Sequence, residues 1–170
     1  MSVSQSLLEL VATAQVTAKA SEDRISQALT NMARPNRTEL HAKELRRASK
    51  ALELVAVDIF STFEARMQHH FKRGPFSRKL KTLLLESKQP DLADRLHKYY
   101  LAVNVLKHGK GASYRELLKS PTSLFAVTAP PADPTDEAKA NQSLIDVTAP
   151  GFFEGLTDTI IEAYHFLEGK

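Results

Sequence analysis

Between Thr38 and Phe71, apolar residues recur at Leu45, Ala48, Leu52, Val55, Ile59 and Phe63. The steps are of three and four residues, so all six fall on one seam of a helix, sustained for nearly three heptads. Such a seam is satisfied only when other helices pack along it. Leu54, Val57 and Phe60 widen the apolar face, which places this helix inside a bundle rather than in a free coiled coil. Thr38 is its expected N-cap, and Phe71 marks its approximate end.

The remaining segments supply the partners. Ser4 to Met32 reads as a helix through Leu7, Leu8, Val11, Ala14, Ala18, Ile25, Ala28, Leu29 and Met32, with Ser21-Glu-Asp as a break or second N-cap. Gly74-Pro75 separates the second helix from a third, which runs from Pro75 or Phe76 through Leu80, Leu83, Leu84 and Leu85. Pro90-Asp91 opens a fourth. Ser113-Tyr-Arg-Glu116 matches a capping box before a short helix, Tyr114 to Lys119. Leu124–Val127 and Leu144–Val147 are β-like runs on either side of a proline-rich loop, and they could pair as a small hairpin. A last helix begins near Pro150, with Phe153, Leu156, Ile160, Ala163, Tyr164 and Leu167 on its apolar face. The expectation is one all-α domain over 1–170, a helical bundle of about five main helices. A short β-hairpin-like or extended insert, about 120–148, precedes the last helix. Leu52, Val55, Ile59, Leu83, Leu84, Tyr100, Val103, Ile160 and Tyr164 should line its seams.

A chain of 170 residues is long enough to bury a core without staples. It has no cysteine, which excludes disulfides and thiolate metal sites. Neither a secretory leader nor a spanning apolar stretch is visible, so a cytoplasmic protein with no membrane association is expected. The net charge of +3 conceals an asymmetry. From Asp133 onward there are eight acidic residues against Lys139 and Lys170; the first 132 residues hold 21 basic and 12 acidic ones. Within that part, Arg66, His69, His70, Lys72, Arg73, Arg78, Lys79 and Lys81 lie in a stretch with no acidic residue from Ala65 to Leu85. An unneutralised turn of this kind suits contact with phosphates, against the plainer reading of a solvated corner.

The fourth helix carries the other candidate. Asn104 and His108 are four apart, so their side chains share one side of the helix, and Gly109 stops it directly afterwards. Lys107 and Lys110 flank the histidine. Three roles are open to this group: acid–base chemistry on a ribose 2′-hydroxyl, a binding pocket without chemistry, or a hydrogen-bonded helix end. Adjacent His69 and His70 should point to different sides of a helix, and no His-x-x-x-His spacing occurs, so neither a metal nor another cofactor is expected. Phosphate loops of the Gly-x-x-x-x-Gly-Lys and Gly-x-Gly-x-x-Gly types are missing.

An all-helical chain with a polar residue, three others and a histidine near a helix end resembles the HEPN superfamily (higher eukaryotes and prokaryotes nucleotide-binding domains). The resemblance covers roughly Thr38 to His108, with Asn104 at the polar position and His108 at the histidine. It implies a four- to five-helix bundle, usually dimeric, of the kind found in toxins, defence systems and RNA-processing enzymes. The ribonuclease members also carry an arginine, and Val103 stands at that position here. The leading expectation is therefore a module that dimerises and associates with RNA or a nucleotide without its own catalysis. The alternatives are a metal-independent endoribonuclease using His108 and a structural module that binds a partner protein.

Overall fold

The computed structural model describes residues 5–36, 38–130 and 143–169. Its helices are α1 (Leu7–Met32), α2 (Glu39–Met67), α3 (Phe76–Glu86), α4 (Pro90–His108), α5 (Ala112–Lys119) and α6 (Phe152–Glu168), with a 3-10 turn, Gln68–His70, after α2. The architecture is an all-α bundle. No described helix is long and apolar enough to cross a membrane.

The α2 seam organises the core. Ala48, Leu52, Ile59 and Phe63 are buried and Leu45 and Val55 partly so, with the long α1 as the main neighbour. Ser6 starts α1 by accepting the Glu9 amide at 3.2 Å. Contrary to the expected break at Ser21, α1 runs without interruption for 26 residues. Ser21 continues the three-and-four spacing of Ala18, Ile25 and Ala28, and it is buried with them. Its small volume allows helices to approach closely there, so it serves packing rather than capping. Between Ala28 and Ala48 no described residue is fully buried.

Helix α4 packs against α2, α3, α5 and α6. Leu96, Tyr99, Leu101, Ala102, Val103 and Val105 are all buried. Tyr99 closes an aromatic cluster with Phe125 and Phe152, at ring separations of 5.6 and 6.1 Å. On the other side, Phe60, Phe63, Phe76 and Phe71 form an edge-to-face chain with successive centroids 5.9, 5.4 and 5.6 Å apart. Arg95 clamps α4 to α6 through two bonds to Glu162, at 3.2 and 2.7 Å. Leu84 and Ile160 are buried as expected, while Leu83, Tyr100 and Tyr164 are only partly so.

One local expectation needs correction, and a second is met only in outline. Helix α5 begins at Ala112 with Gly111 as its N-cap, because the Arg115 amide already donates to the Gly111 carbonyl at 3.0 Å. Ser113 therefore sits inside the first turn and makes no capping box. The two β-like runs meet only in an isolated antiparallel bridge between Val127 and Ile145, and the described residues contain no strand. Bonds from Thr128 to Leu144 and from Asp146 to Ala126, at 2.8 and 3.0 Å, flank it. Phe125, Ile145 and Val147 are instead buried as a cover on the bundle. Ser4 and the proline-rich loop from 131 to 142 lie outside the described residues.

Candidate functional site

Pro90 supplies the first residue of α4, where its missing amide hydrogen costs nothing. Gly109 ends the helix at φ 74°, a conformation that other residues adopt only with strain, and its amide closes onto the Val105 carbonyl at 2.8 Å. Within this frame the Asn104–His108 pair does not converge. Asn104 is half-buried, and its side-chain amide donates to the Ser113 hydroxyl at 3.3 Å. It thereby ties α4 to α5. His108 is exposed in the last turn, with no hydrogen bond or ion pair among the described residues. Val103, the residue before Asn104, is 1 % exposed.

Lys107 and Lys110 are exposed. The Lys107 charge is felt by Glu64, a half-buried carboxylate on α2 that accepts from the Ser77 hydroxyl at 3.2 Å. Burial pushes the Glu64 carboxyl above its ordinary range; the Ser77 bond and the Lys107 charge oppose that shift. Ser61, Glu64, Gln68, Ser77 and Tyr100 line a small recess there, together with the apolar Ala65, Pro75 and Phe76. Nothing in the sequence marks it beyond Glu64 being the last acid before the acid-free stretch.

The basic stretch forms the corner between α2 and α3, turned by Gly74 at φ 94°. Lys72, Arg73, Arg78 and Lys79 are exposed, Lys81 is half-buried, and none is in an ion pair among the described residues. Arg66 is also exposed, but its guanidinium donates to the Gln5 carbonyl at 2.9 Å, toward the start of α1. The corner therefore presents at least four uncommitted cations, which concentrates positive potential at one place.

His69 and His70 depart from the sequence expectation. They belong to the 3-10 turn rather than to α2, and their rings lie side by side with centroids 4.2 Å apart. His70 Nε2 is 3.3 Å from a carboxylate oxygen of Glu168, near the end of α6. Glu162-Ala-Tyr-His165 does have the Glu-x-x-His spacing of some metal sites, contrary to the expectation that no such spacing occurs, but Glu162 is held by Arg95.

Two further polar groups escaped the sequence. Lys98 is buried, and its ammonium donates to the Ser120 carbonyl at 2.8 Å and to the Ser120 hydroxyl at 3.1 Å. It thus caps the C-terminal end of α5, where a cation complements the helix dipole. His97 stacks on Tyr100 at 6.2 Å and meets Glu116 at 2.9 Å. Comparison with protein-family models, with curated proteins and with solved structures finds no match for the chain.

Proposed function

We propose that the chain is a HEPN-like helical module that associates with RNA through the corner between α2 and α3 and lacks catalysis of its own. The exposed, acid-free group of Lys72, Arg73, Arg78 and Lys79 carries this reading, since each unpaired cation can displace condensed counterions from a phosphate backbone. Lys107 and Lys110 extend the positive charge from the end of α4. The non-catalytic part rests on three side chains. Val103 occupies a core position, the Asn104 amide is engaged with Ser113, and His108 stands alone at the surface. Phosphoryl transfer needs a positioned proton acceptor together with a cation at the phosphate; Lys107 and Lys110 are cations near His108, but no hydrogen bond among the described residues orients its imidazole. A homodimer, which the family resemblance implies, would place two copies of the basic surface on one RNA.

Fluorescence anisotropy with a labelled RNA tests the reading. Affinity should fall steeply with added salt, and the slope of log affinity against log salt should flatten by about 2 in Lys72→Glu/Arg73→Glu and again in Arg78→Glu/Lys79→Glu. His108→Ala should leave affinity and RNA integrity unchanged. Salt-independent binding, or charge-reversed variants that bind as well as the parent, would remove the corner from the reading. Cleavage by the wild-type chain that disappears in His108→Ala would establish the endoribonuclease instead. Light scattering across micromolar concentrations checks the dimer, and a monomer throughout would exclude it.

A further inference from the structure

We infer that His69, His70 and Glu168 form a binding site for a late first-row divalent metal ion such as Zn²⁺. Each of the three offers one ligand atom, and no two of these atoms are further apart than 4.8 Å. Two imidazoles with one carboxylate is a donor set that holds zinc, and it disfavours Mg²⁺ and Ca²⁺, which prefer oxygen donors. The separations have the right scale. Tetrahedral zinc with ligand bonds of about 2.0–2.1 Å sets neighbouring ligand atoms roughly 3.4 Å apart. His70 Nε2 and the Glu168 oxygen stand 3.3 Å apart, the length of one such edge. The third ligand lies on exposed His69.

The surroundings of His69 add an independent observation. Its Nδ1 is 2.9 Å from the Arg66 carbonyl, which can only accept, so Nδ1 carries the hydrogen. In the neutral ring Nε2 is then the lone-pair nitrogen, and the ring is held by the backbone bond that metal-binding histidines commonly make. An ion pair between protonated His70 and Glu168 would account for that contact alone. It leaves out His69, whose ligand atom lies within 4.8 Å of the other two. The Arg66 guanidinium is turned away to the Gln5 carbonyl, so the nearest arginine in sequence does not occupy the site. Lys72 and Arg73 lie close by in the chain and weaken cation affinity; the Glu168 carboxylate offsets them in part.

A bound ion would join the 3-10 turn after α2 to the end of α6, two elements separated by about a hundred residues in sequence. Binding to the folded chain alone raises its stability by mass action. The site is independent of RNA association and stands or falls separately.

Calorimetric titration of the untagged chain with ZnCl₂, in a buffer without chelators, tests the inference. One equivalent should bind, the melting temperature should rise with Zn²⁺ and not with Mg²⁺, and Co²⁺ should give the visible bands of tetrahedral coordination. His70→Ala and Glu168→Gln should each weaken binding at least tenfold, whereas His165→Ala, on the same helix as Glu168, should not. Circular dichroism verifies that each variant folds. Imidazole resonances of the unmodified chain give a second readout, in which Zn²⁺ should shift those of His69 and His70 first. Absence of saturable binding would overturn the site. So would one-equivalent binding retained by folded His70→Ala and Glu168→Gln, or shifts confined to other histidines.

Discussion

Replacing Val103 by arginine introduces, directly before Asn104, the residue that the proposed HEPN-like reading calls for in a ribonuclease, and the structure assigns that change a cost. Val103 is 1 % exposed on the helix that touches α2, α3, α5 and α6. Removing its side chain forfeits about 1.5–2 kcal/mol of burial. The guanidinium then needs either a route to solvent or a place in the core. Desolvating it without a partner costs several kcal/mol more; the alternative, pushing neighbours aside to let it reach water, costs about 1–3 kcal/mol of overpacking. The sum, roughly 5 kcal/mol, is comparable with the whole stability of many domains. For a chain of this length it corresponds to a loss of about 10–20 °C in melting temperature. Val103→Ala separates lost packing from buried charge and should cost about 2 kcal/mol, or some 4–8 °C. Thermal unfolding followed by far-ultraviolet circular dichroism reads both. A Val103→Arg protein that melts within about 2 °C of the parent would refute the reasoning, because it would mean the position has open access to solvent. Gain of RNA cleavage in that folded variant would identify the site as a nuclease that has lost one residue.

Two other substitutions have signs set by geometry. A Cβ added at Gly155 would overlap the Tyr99 hydroxyl and lie 3.3 Å from Cζ. Tyr99 cannot swing clear, because Phe125 and Phe152 hold its ring. Gly155→Ala should therefore destabilise by about 1–2 kcal/mol despite alanine's better helix propensity, and in a Tyr99→Phe background the penalty should shrink or reverse. Stabilisation by Gly155→Ala in the parent chain would show that the contact relaxes freely. Glu64 titrates above the value of an unfolded glutamate, chiefly through burial. The folded chain thus keeps a proton that the unfolded chain has released, and this group's contribution to stability falls as pH rises from the unfolded value of 4.5 through the raised one. Glu64→Gln should raise the melting temperature at pH 7 and give a gain that fades on acidification; an equal effect at pH 4 and pH 7 would contradict it.

The heptad spacing of Leu45 to Phe63 was enough to place α2 in a bundle, and Pro90 and Gly109 marked both ends of α4 in the sequence. These features are legible because they depend on periodicity and backbone conformation, which neighbours in sequence determine. Ser21 and Ser113 were misread for a common reason. A serine at a helix start and a serine in a helix interior look alike until tertiary partners are known, and here those partners are the packing around α1 and the Asn104 amide. The candidate pair was found by spacing, but spacing does not reveal that Ser113 takes the amide. His69 and His70 illustrate the converse. Their rings meet where α2 gives way to a short 3-10 turn and then to extended chain at Phe71, a helix ending that no residue pattern announced. Glu168 joins them from the far end of the chain, a proximity created only by the docking of α6.

That no described residue between Ala28 and Ala48 is fully buried has a consequence for how the molecule comes apart. Helices of 26 and 29 residues extend about 39 and 44 Å, whereas the 19 residues of α4 extend about 28 Å. The α1–α2 hairpin thus outreaches the central helix by more than a helical turn, and near its tip each helix has mainly the other for support. Leu29 and Leu40 remain 46 % and 59 % exposed there. Opening this tip breaks few apolar contacts, so its amides should exchange with solvent through fraying of the last turns while the amides around Leu52 and Phe63 wait for global unfolding. The chain thereby carries a gradient of cooperativity along one hairpin, soft at the turn and rigid where the other helices close around it.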